Sequence, residues 1–290
     1  MVWVNDIIQG LLIGGLYALF ACGLSLMFGV MKVVNLAHGD LAVVAGYIAI
    51  GVIFVTHVPV LWSFVIVVPV MAALGYVLQR TLIQGALDRG VLTTLIVTFG
   101  LSTVIENGLL QFFSANTRGI GSGLGLVTDS FSLGSQIQIG YLPVIIFAVA
   151  VAVLLGLQYF LSSSKYGRLI RAVADDSEAA QLSGADYRHV FGIAAALAFG
   201  TVALGGLAYG LSDQFDPTAG TDTILLFAFA AVVIGGLGSL WGTLLGGVVL
   251  GVAQAVGYQF FTDEVTGGYL VFLAVLVLRP QGLTSRRART

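Results

Sequence analysis

The chain has 290 residues, of which 58 % are hydrophobic and 9 % are charged, and its formal net charge is −2. Globular proteins carry about 25 % charged residues, so an apolar exterior of this extent is stable only against lipid. A soluble enzyme and a nucleic-acid binder are therefore excluded. A disulfide-stapled secreted domain is excluded as well, because the single Cys22 has no internal partner.

Long uncharged segments predict the membrane spans. The run Thr223–Phe261 is too long for one span and predicts two short ones, so the chain should cross about nine times. The fold class is an all-α polytopic membrane protein, a bundle of about eight to ten helices with short or glycine-broken segments. In chain order the other runs are Ile7–Val30, Leu41–Val55, Val60–Leu78, Val91–Ile105 (extending to Phe113), Tyr141–Leu161, Val190–Leu211 and Val265–Leu278.

Glycine is unusually frequent, with 39 residues. Pairs four positions apart, such as Gly10 with Gly14 and Gly247 with Gly251, predict helices that pack backbone to backbone. The run Gly235–Ser239 contains three glycines in four positions and predicts a break between two helices.

Basic residues predict the orientation, because they concentrate on the cytoplasmic side. Loop 162–188 and the tail 279–290 are basic and should be cytoplasmic, whereas loop 114–140 contains Arg118 alone and should face outside. The N-terminal apolar run exceeds a signal-peptide core and is interpreted as a retained helix. Residues 1–290 then form a single membrane domain.

Loop 162–188 has the pattern of a short capped helix. Asp175 is expected to be its N-cap, with Glu178 in the reciprocal position of a capping box and Gly184 as a left-handed stop. Arg168, Arg171, Asp175 and Glu178 would share one face if the preceding stretch is also helical. The helix is either an interfacial anchor or a docking site for a partner.

A polar interruption separates the first two apolar runs. Asn35, His38 and Asp40 lie there, with Gly39 loosening the backbone. Such a stretch is tolerated at the membrane interface or in a cavity enclosed by protein. One interpretation is an interfacial turn in which Asn35 and Asp40 cap the next helix. The other is a discontinuous helix whose polar atoms border a translocation path.

A second polar pair, Glu106 and Asn107, lies within the run that extends to Phe113. A carboxylate facing lipid is costly, so Glu106 should face the bundle interior, be protonated or find a partner. Lys32 is one conceivable partner. A hydrogen-bonded structural pair near the outer interface is the alternative to a role in the path.

Three motifs in one order resemble branched-chain amino-acid ABC permeases. Gly23–Asp40 is similar to the first-helix signature of that family, Ile234–Gly242 to its late glycine segment, and Glu178-Ala179-Ala180 with Gly184 to the pattern of the helix that couples to the ATPase. Arg171 and Asp176 resemble the lead-in to that coupling helix. Urea and short-amide permeases share these motifs and remain an alternative for the substrate.

The resemblance implies a permease subunit in the bacterial plasma membrane. Its expected partners are a similar or identical second permease subunit, two cytoplasmic ATPase subunits, an extracytoplasmic binding protein, a small-molecule substrate and membrane lipid. The residues implied for ATPase coupling are Arg171, Asp175, Asp176, Glu178, Ala179, Ala180 and Gly184. The candidates for the path are Asn35, His38, Gly39, Asp40, Glu106 and Asn107.

The sequence contains no G-x-x-x-x-G-K-[S/T] phosphate loop, no catalytic constellation and no metal-ligand spacing. The chain is therefore expected to be a transport subunit and not an enzyme, with no cofactor of its own and with ATP and Mg²⁺ on the partner ATPases. An ion-coupled secondary transporter, with an acidic residue such as Glu106 in an ion site, is the alternative from another class.

Overall fold

The computed structural model describes residues 2–121, 125–133, 137–261 and 265–284. Within those ranges the fold is an all-α bundle with one short hairpin. The elements are α1 (Val2–Met31), α2 (His38–Thr56), α3 (Val60–Leu78), a π-helical turn (Gln79–Ile83), α4 (Gln84–Leu87), α5 (Val91–Phe113), α6 (Gly125–Thr128), β1 (Ser130–Leu133), β2 (Ile137–Gly140), α7 (Tyr141–Ser163), α8 (Lys165–Asp175), α9 (Ser177–Leu182), α10 (Tyr187–Ser212), a second π-helical turn (Gly220–Ile224), α11 (Leu225–Gly235), α12 (Leu240–Gly257) and α13 (Thr266–Leu278).

The apolar helices agree with the sequence prediction of about nine crossings. In the described ranges, seven helices are long and apolar enough to span a membrane, and two shorter apolar helices cover Gly220–Gly235 and Thr266–Leu278. The break predicted at Gly235–Ser239 is confirmed, since α11 ends at Gly235 and α12 begins at Leu240. Gly236 and Gly238 both adopt positive φ there, which glycine tolerates without steric strain.

Helices α1 and α10 form the centre of the bundle, and 78 % of the apolar window of each is buried inside the protein. They run antiparallel, because Phe20 of α1 packs at Gly205 of α10 while Gly23 lies three residues later and packs at Ala198. α1 is flanked by α12 and α10 by α3. The hydrophobic core is thus built around two long antiparallel helices.

The two central helices begin two similar units. Each long helix ends in a short non-helical stretch, followed by a second helix that starts inside the bundle and a third that packs on the long helix of the other unit, α3 on α10 and α12 on α1. Met31, the last residue of α1, and Ser212, the last residue of α10, are 181 residues apart in the sequence. Asp40 and Thr221, at the beginnings of the two second helices, have the same separation of 181 residues. Because the central helices are antiparallel, the units form an inverted repeat, a plan found in other transporters.

Loop 114–140 contains α6 and the antiparallel pair β1–β2, in which Ser130 faces Gly140 and Leu133 faces Ile137. Arg118 pairs with Phe215 through two backbone hydrogen bonds of 2.8 and 2.9 Å, so the start of the loop is fixed to the non-helical stretch after α10. Residues 122–124 and 134–136 of the loop, like residues 285–290 of the basic tail, lie outside the described residues.

Candidate functional site at the crossing of two broken helices

The two non-helical stretches meet inside the bundle. Helix α2 starts at His38 and the second π-helical turn starts at Gly220, and these two helix beginnings pack against each other. A Cβ atom on Gly39 would collide with the carbonyl oxygen of Gly220, and one on Gly220 would collide with Asp40. Two glycines at the contact therefore allow the backbones to approach more closely than any side chain would permit.

Each stretch ends in a turn stabilised by its own side chain. Asn35 Oδ1 accepts a hydrogen bond from the Ala37 backbone N–H at 3.1 Å. Asp216, at the equivalent position after the 181-residue shift, accepts from the N–H groups of Thr218 and Ala219 at 2.9 and 3.0 Å. These side chains satisfy donors that would otherwise be unpaired before each helix begins.

The polar residues of the first stretch are buried, with Asn35 1 % exposed and His38 and Asp40 0 % exposed. His38 Nε2 lies 3.1 Å from the carbonyl oxygen of Phe20 on α1. Its other ring nitrogen, Nδ1, has no hydrogen-bond partner in the described part of the chain. The stretch is therefore enclosed by protein, which is where irregular polar backbone is tolerated at membrane depth.

Asp40 joins three elements. Its Oδ2 accepts a short hydrogen bond from Ser102 of α5, and its Oδ1 accepts one from Thr221 of the π-helical turn at 3.1 Å. The Ser102 and Thr221 hydroxyl oxygens are 3.4 Å apart. Glu106 and Asp222 are close enough to Asp40 to repel its negative charge. This buried carboxylate thus connects α2, α5 and the second broken helix.

Helix α5 contacts the crossing through one polar face. Thr94, Thr98 and Ser102 follow each other at four-residue intervals and are all buried, and Glu106 continues the series. Thr98 Oγ1 accepts a hydrogen bond from the Leu36 backbone N–H at 3.3 Å. We call Thr94, Thr98, Ser102 and Glu106 the α5 polar face. The sequence interpretation missed Thr98, Ser102 and Thr221, although the four-residue spacing on α5 is visible in the sequence.

The second predicted polar pair splits between two environments. Glu106 is half-buried beside the crossing, whereas Asn107 is exposed and donates to the Thr103 carbonyl of its own helix at 2.8 Å. Lys32 is not the partner of Glu106, because its Nζ donates to the Gly29 carbonyl at 3.2 Å. In the described ranges the ion pairs are Arg80 with Asp186 and Arg188 with Asp88.

The capped helix predicted in loop 162–188 is α9, but its N-cap is Asp176 and not Asp175. Asp175 is still the last residue of α8, whereas Asp176 has the extended backbone of an N-cap (φ −150°, ψ 104°). Asp176 Oδ1 accepts from the N–H groups of Glu178 and Ala179 at 3.0 Å each. Glu178 is therefore the second residue of the helix, so the predicted capping box is wrong.

The predicted helix stop is confirmed at Gly184, which has φ +87°. The Ala185 N–H donates to Ala180 at 3.0 Å and the Gly184 N–H donates to Gln181 at 2.9 Å, which is the Schellman arrangement. Leu182 at the end of the helix is 92 % exposed. α9 is therefore a short helix with a defined start and stop and an exposed apolar tip.

Arg171 has a structural role within the chain. Its guanidinium donates to the carbonyl oxygens of Leu161 and Ser162 at the end of α7, and Arg168 donates to Ser163 at 3.0 Å. Basic side chains stabilise the unpaired carbonyls of a helix C-terminus in this way. The expected charged face shared with Glu178 is interrupted, because the extended residue Asp176 separates α8 from α9.

A bundle of broken helices around a buried polar crossing, with a capped helix at one end, defines a membrane permease. The family model for the permease component of branched-chain amino acid transport systems matches residues 7–279. The chain belongs to this family and is a permease subunit of an ABC importer.

Similarity to characterised relatives extends over nearly the whole chain. The high-affinity branched-chain amino acid permease protein BraD of Pseudomonas aeruginosa is 31 % identical over 98 % of this chain and 96 % of its own length. The corresponding protein LivH of Escherichia coli is 26 % identical with the same coverage. The ribose import permease protein RbsC of Escherichia coli is 26 % identical over 94 % of this chain and 85 % of its own length. No solved structure matches the chain.

Proposed function

We propose that this subunit translocates branched-chain or related amino acids delivered by an extracytoplasmic binding protein. The observation that carries the proposal is the nearly full-length similarity to BraD and LivH, which are named as branched-chain amino acid permeases. The buried crossing supports the same function, since broken helices that meet inside the membrane are typical of transporters. Asn35, His38, Gly39 and Asp40 form the wall behind the α5 polar face, to which Glu106 belongs.

A second permease subunit packs against the outer side of α5. Only 11 % of the apolar window of α5 is buried within this chain, although the helix carries exposed polar Thr103 and Asn107. Polar groups in the middle of a span are costly in lipid. Leu92, Ile96 and Phe99 on the helix are 72, 63 and 59 % exposed. The translocation path then runs between the two subunits, beside Glu106 and Asn107.

Helix α9 docks on an ATPase subunit. A short helix with fixed ends presents its side chains in one orientation, and its exposed Leu182 is an apolar anchor for a partner groove. A cleft of about 520 Å³ lies between α8, α9 and the start of α10, lined by residues that include Asp175, Ala179 and Gly184. ATP and Mg²⁺ bind the ATPase subunits, since this chain lacks a phosphate loop.

The orientation in the plasma membrane follows from the basic residues. Loop 162–188 and the tail 279–290 face the cytoplasm, and loop 114–140 faces the binding protein outside. An impermeant thiol reagent checks this in a Cys22→Ser background. Ser163→Cys should be labelled only after the membrane is opened, and Thr117→Cys should be labelled in intact cells. Labelling of Ser163→Cys in intact cells would contradict the orientation.

Reconstitution tests the function itself. Proteoliposomes containing the permease and its ATPases, with the binding protein outside, should accumulate L-leucine only when ATP is enclosed on the side of the membrane that carries the ATPases. An ATPase variant without a catalytic base is the matched control. Uptake of urea but not leucine would replace the substrate with the short-amide alternative, and uptake driven by an ion gradient without ATP would indicate a secondary transporter.

A further inference from the structure

A second cavity, of about 560 Å³, lies outside the crossing. Residues of α1, α10 and α12 line it, together with the second π-helical turn and the beginning of α11. Asp6 and Tyr17 of α1 both line it, and the eleven residues from one to the other correspond to about 16 Å of helix. The cavity therefore extends from the end of the bundle that holds the start of α1 toward its middle.

The wall of the cavity is acidic. Asp6 and Asp213 line it, and none of the described lining residues is Lys, Arg or His. Asp6 accepts from Gln259 at 3.0 Å and Asp213 accepts from the Gln214 N–H at 2.8 Å. A carboxylate has about four acceptor positions, so both retain capacity for a further donor. Two carboxylates without a cation favour a ligand that carries positive charge.

Aromatic and aliphatic side chains complete the lining. Tyr209 and Tyr258 also line the cavity, and the faces of such rings attract ammonium groups. Ile13, Leu16 and Phe227 supply apolar surface. Tyr17 packs against Phe227 with ring centroids 4.7 Å apart, and its hydroxyl donates to Gln254, so these three lining side chains hold one another in place.

The cavity is separate from the crossing. Its described lining contains no residue of α2 or α5 and none of Asn35, His38 or Asp40. Its volume lies within the range of small-molecule sites, about 300–1,000 Å³. Apolar surface with a few polar groups of one charge is the usual composition of such a site.

We propose that this cavity binds a small aliphatic compound with an ammonium group, the chemistry shared by aliphatic amino acids and alkylamines. The carboxylates of Asp6 and Asp213 receive the ammonium group, and Ile13, Leu16 and Phe227 contact the aliphatic part. As a substrate site inside one permease subunit, it rests on the proposed function. It would give the permease its own selection for amino acids over uncharged solutes such as urea.

The test uses the permease–ATPase complex in lipid nanodiscs without the binding protein. Tritiated L-leucine should bind saturably, 3-methylbutylamine should compete because it keeps the ammonium group, and 4-methylpentanoate should not compete because it lacks that group. Asp213→Asn and Asp6→Asn should each weaken leucine binding by about tenfold or more, because a charge-assisted hydrogen bond is lost. Asp129→Asn, the same change on an exposed residue outside the cavity, should bind like the wild type.

Absence of saturable leucine binding would overturn the proposal, as would competition by the carboxylate but not the amine, or wild-type binding by both aspartate variants. Uptake with the binding protein present separates this outcome from failure of the proposed function. Normal ATP-driven leucine uptake without binding to the complex refutes the cavity site alone. Binding to the complex without leucine uptake refutes the transport function and leaves the cavity as a binding site.

Discussion

Two equivalent helix pairs, α1 with α12 and α10 with α3, join the units of the inverted repeat, but they differ in how closely their helices approach. Between α1 and α12, glycines face backbone on both sides, so that a Cβ on Gly10 or Gly14 would collide with α12 and one on Gly247 or Gly251 with α1. Between α10 and α3, the glycines meet mainly side chains: Gly192 faces the ring of Tyr76, and Gly75 faces the ring of Phe199 together with the Ala195 carbonyl oxygen. Without a hydrophobic force between helices in lipid, close backbone contact is a principal source of their association.

The difference indicates which of the two helix pairs can change shape. A backbone-to-backbone contact has no side chain that could rotate to absorb a shift, whereas a ring against a glycine can move by a rotamer change. The α1–α12 pair is therefore expected to move as one body. The acidic cavity also lies beside α1 and α12, so this closely packed pair forms one of its walls.

The largest effect is expected when the same substitution is placed in both helix pairs. Gly251→Ala would drive a methyl group into the backbone of Gly10 and Gly14, and overpacking of this kind costs about 1–3 kcal/mol. Gly200→Ala on α10 would meet Ala72 and Val68 at an ordinary 3.8 Å and should stabilise the helix by about 0.5–1 kcal/mol.

The thermal midpoint of the detergent-purified complex measures both changes. Gly156→Ala on α7, where a methyl group has nothing within 4 Å, is the control for helix propensity alone. A Gly251→Ala protein as stable as the wild type would show that the two helix pairs do not differ in this way.

The second prediction concerns the junction between the units. Ser102→Ala removes the α5 hydroxyl that donates to Asp40 and leaves Thr221 as its remaining hydrogen-bond partner among the described residues. Removing a partner of a buried charged group costs about 1.5–3 kcal/mol, so α5 should lose its fixed position and ATP-driven uptake should fall severalfold. Thr81→Ala, an exposed threonine that bonds only its own helix, should retain uptake. Unchanged uptake in Ser102→Ala would exclude a role for this contact.

The third prediction concerns α9, which directly precedes the second unit in the chain. Gly184→Val should strain the Schellman stop by about 1 kcal/mol or more, because its φ of +87° disfavours a β-branched residue. Asp176→Ala should remove the cap at a cost of about 1 kcal/mol, whereas Asp175→Ala should not. Gly184→Val and Asp176→Ala should both reduce co-purification of the ATPase, while the transmembrane bundle still inserts into the membrane.

Glu178→Lys separates a charge contact from helix stability, because Glu178 makes no cap bond of its own through its side chain in the described structure. It should weaken ATPase association and substrate-stimulated hydrolysis without changing the thermal midpoint. Wild-type association in both Gly184→Val and Glu178→Lys would show that α9 is not the coupling helix.

Sequence periodicity was sufficient to predict the helices but not which helices contact one another. The apolar runs locate the helices, and the glycine run at Gly235–Ser239 locates a break, because both signals are local. The contact of Gly14 with Gly247 and the bridge from Asp40 to Ser102 join distant segments. No local pattern specifies such a pairing, and packing in three dimensions decides it.

The candidate site shows the same limit at a finer scale. Two adjacent aspartates precede α9, and both are acceptable N-caps by composition; the end of α8 at Asp175 selects Asp176. Arg171 was grouped with the coupling residues because it resembles the family's lead-in to the coupling helix, but its guanidinium binds carbonyl oxygens at the end of α7. In both cases a neighbouring helix end determined the role.

The smallest effect is expected at the start of α10, where the second unit has a cap. Asp186 accepts from the N–H groups of His189 and Arg188 at 3.2 and 3.0 Å, and Arg80 lies 3.5 Å away. The hydrogen bond from His189 contributes most to lowering the pKa of Asp186 below its ordinary value, with Arg188 and Arg80 adding to it. A carboxyl group with a lowered pKa stabilises the folded state above the ordinary Asp value of about 3.9, and this contribution is lost as the pH falls through the lowered pKa.

Asp186→Asn keeps an acceptor and removes the charge, so its thermal midpoint should lie slightly below that of the wild type at pH 7 and approach it at pH 3. Asp186→Ala also loses the cap and should remain lower at both pH values by an amount that corresponds to about 1 kcal/mol. The Asn effect should be small because the side chain is largely exposed and solvent screens its charge. A difference between Asn and wild type that stays constant from pH 7 to pH 3 would show that the charge does not stabilise the start of α10.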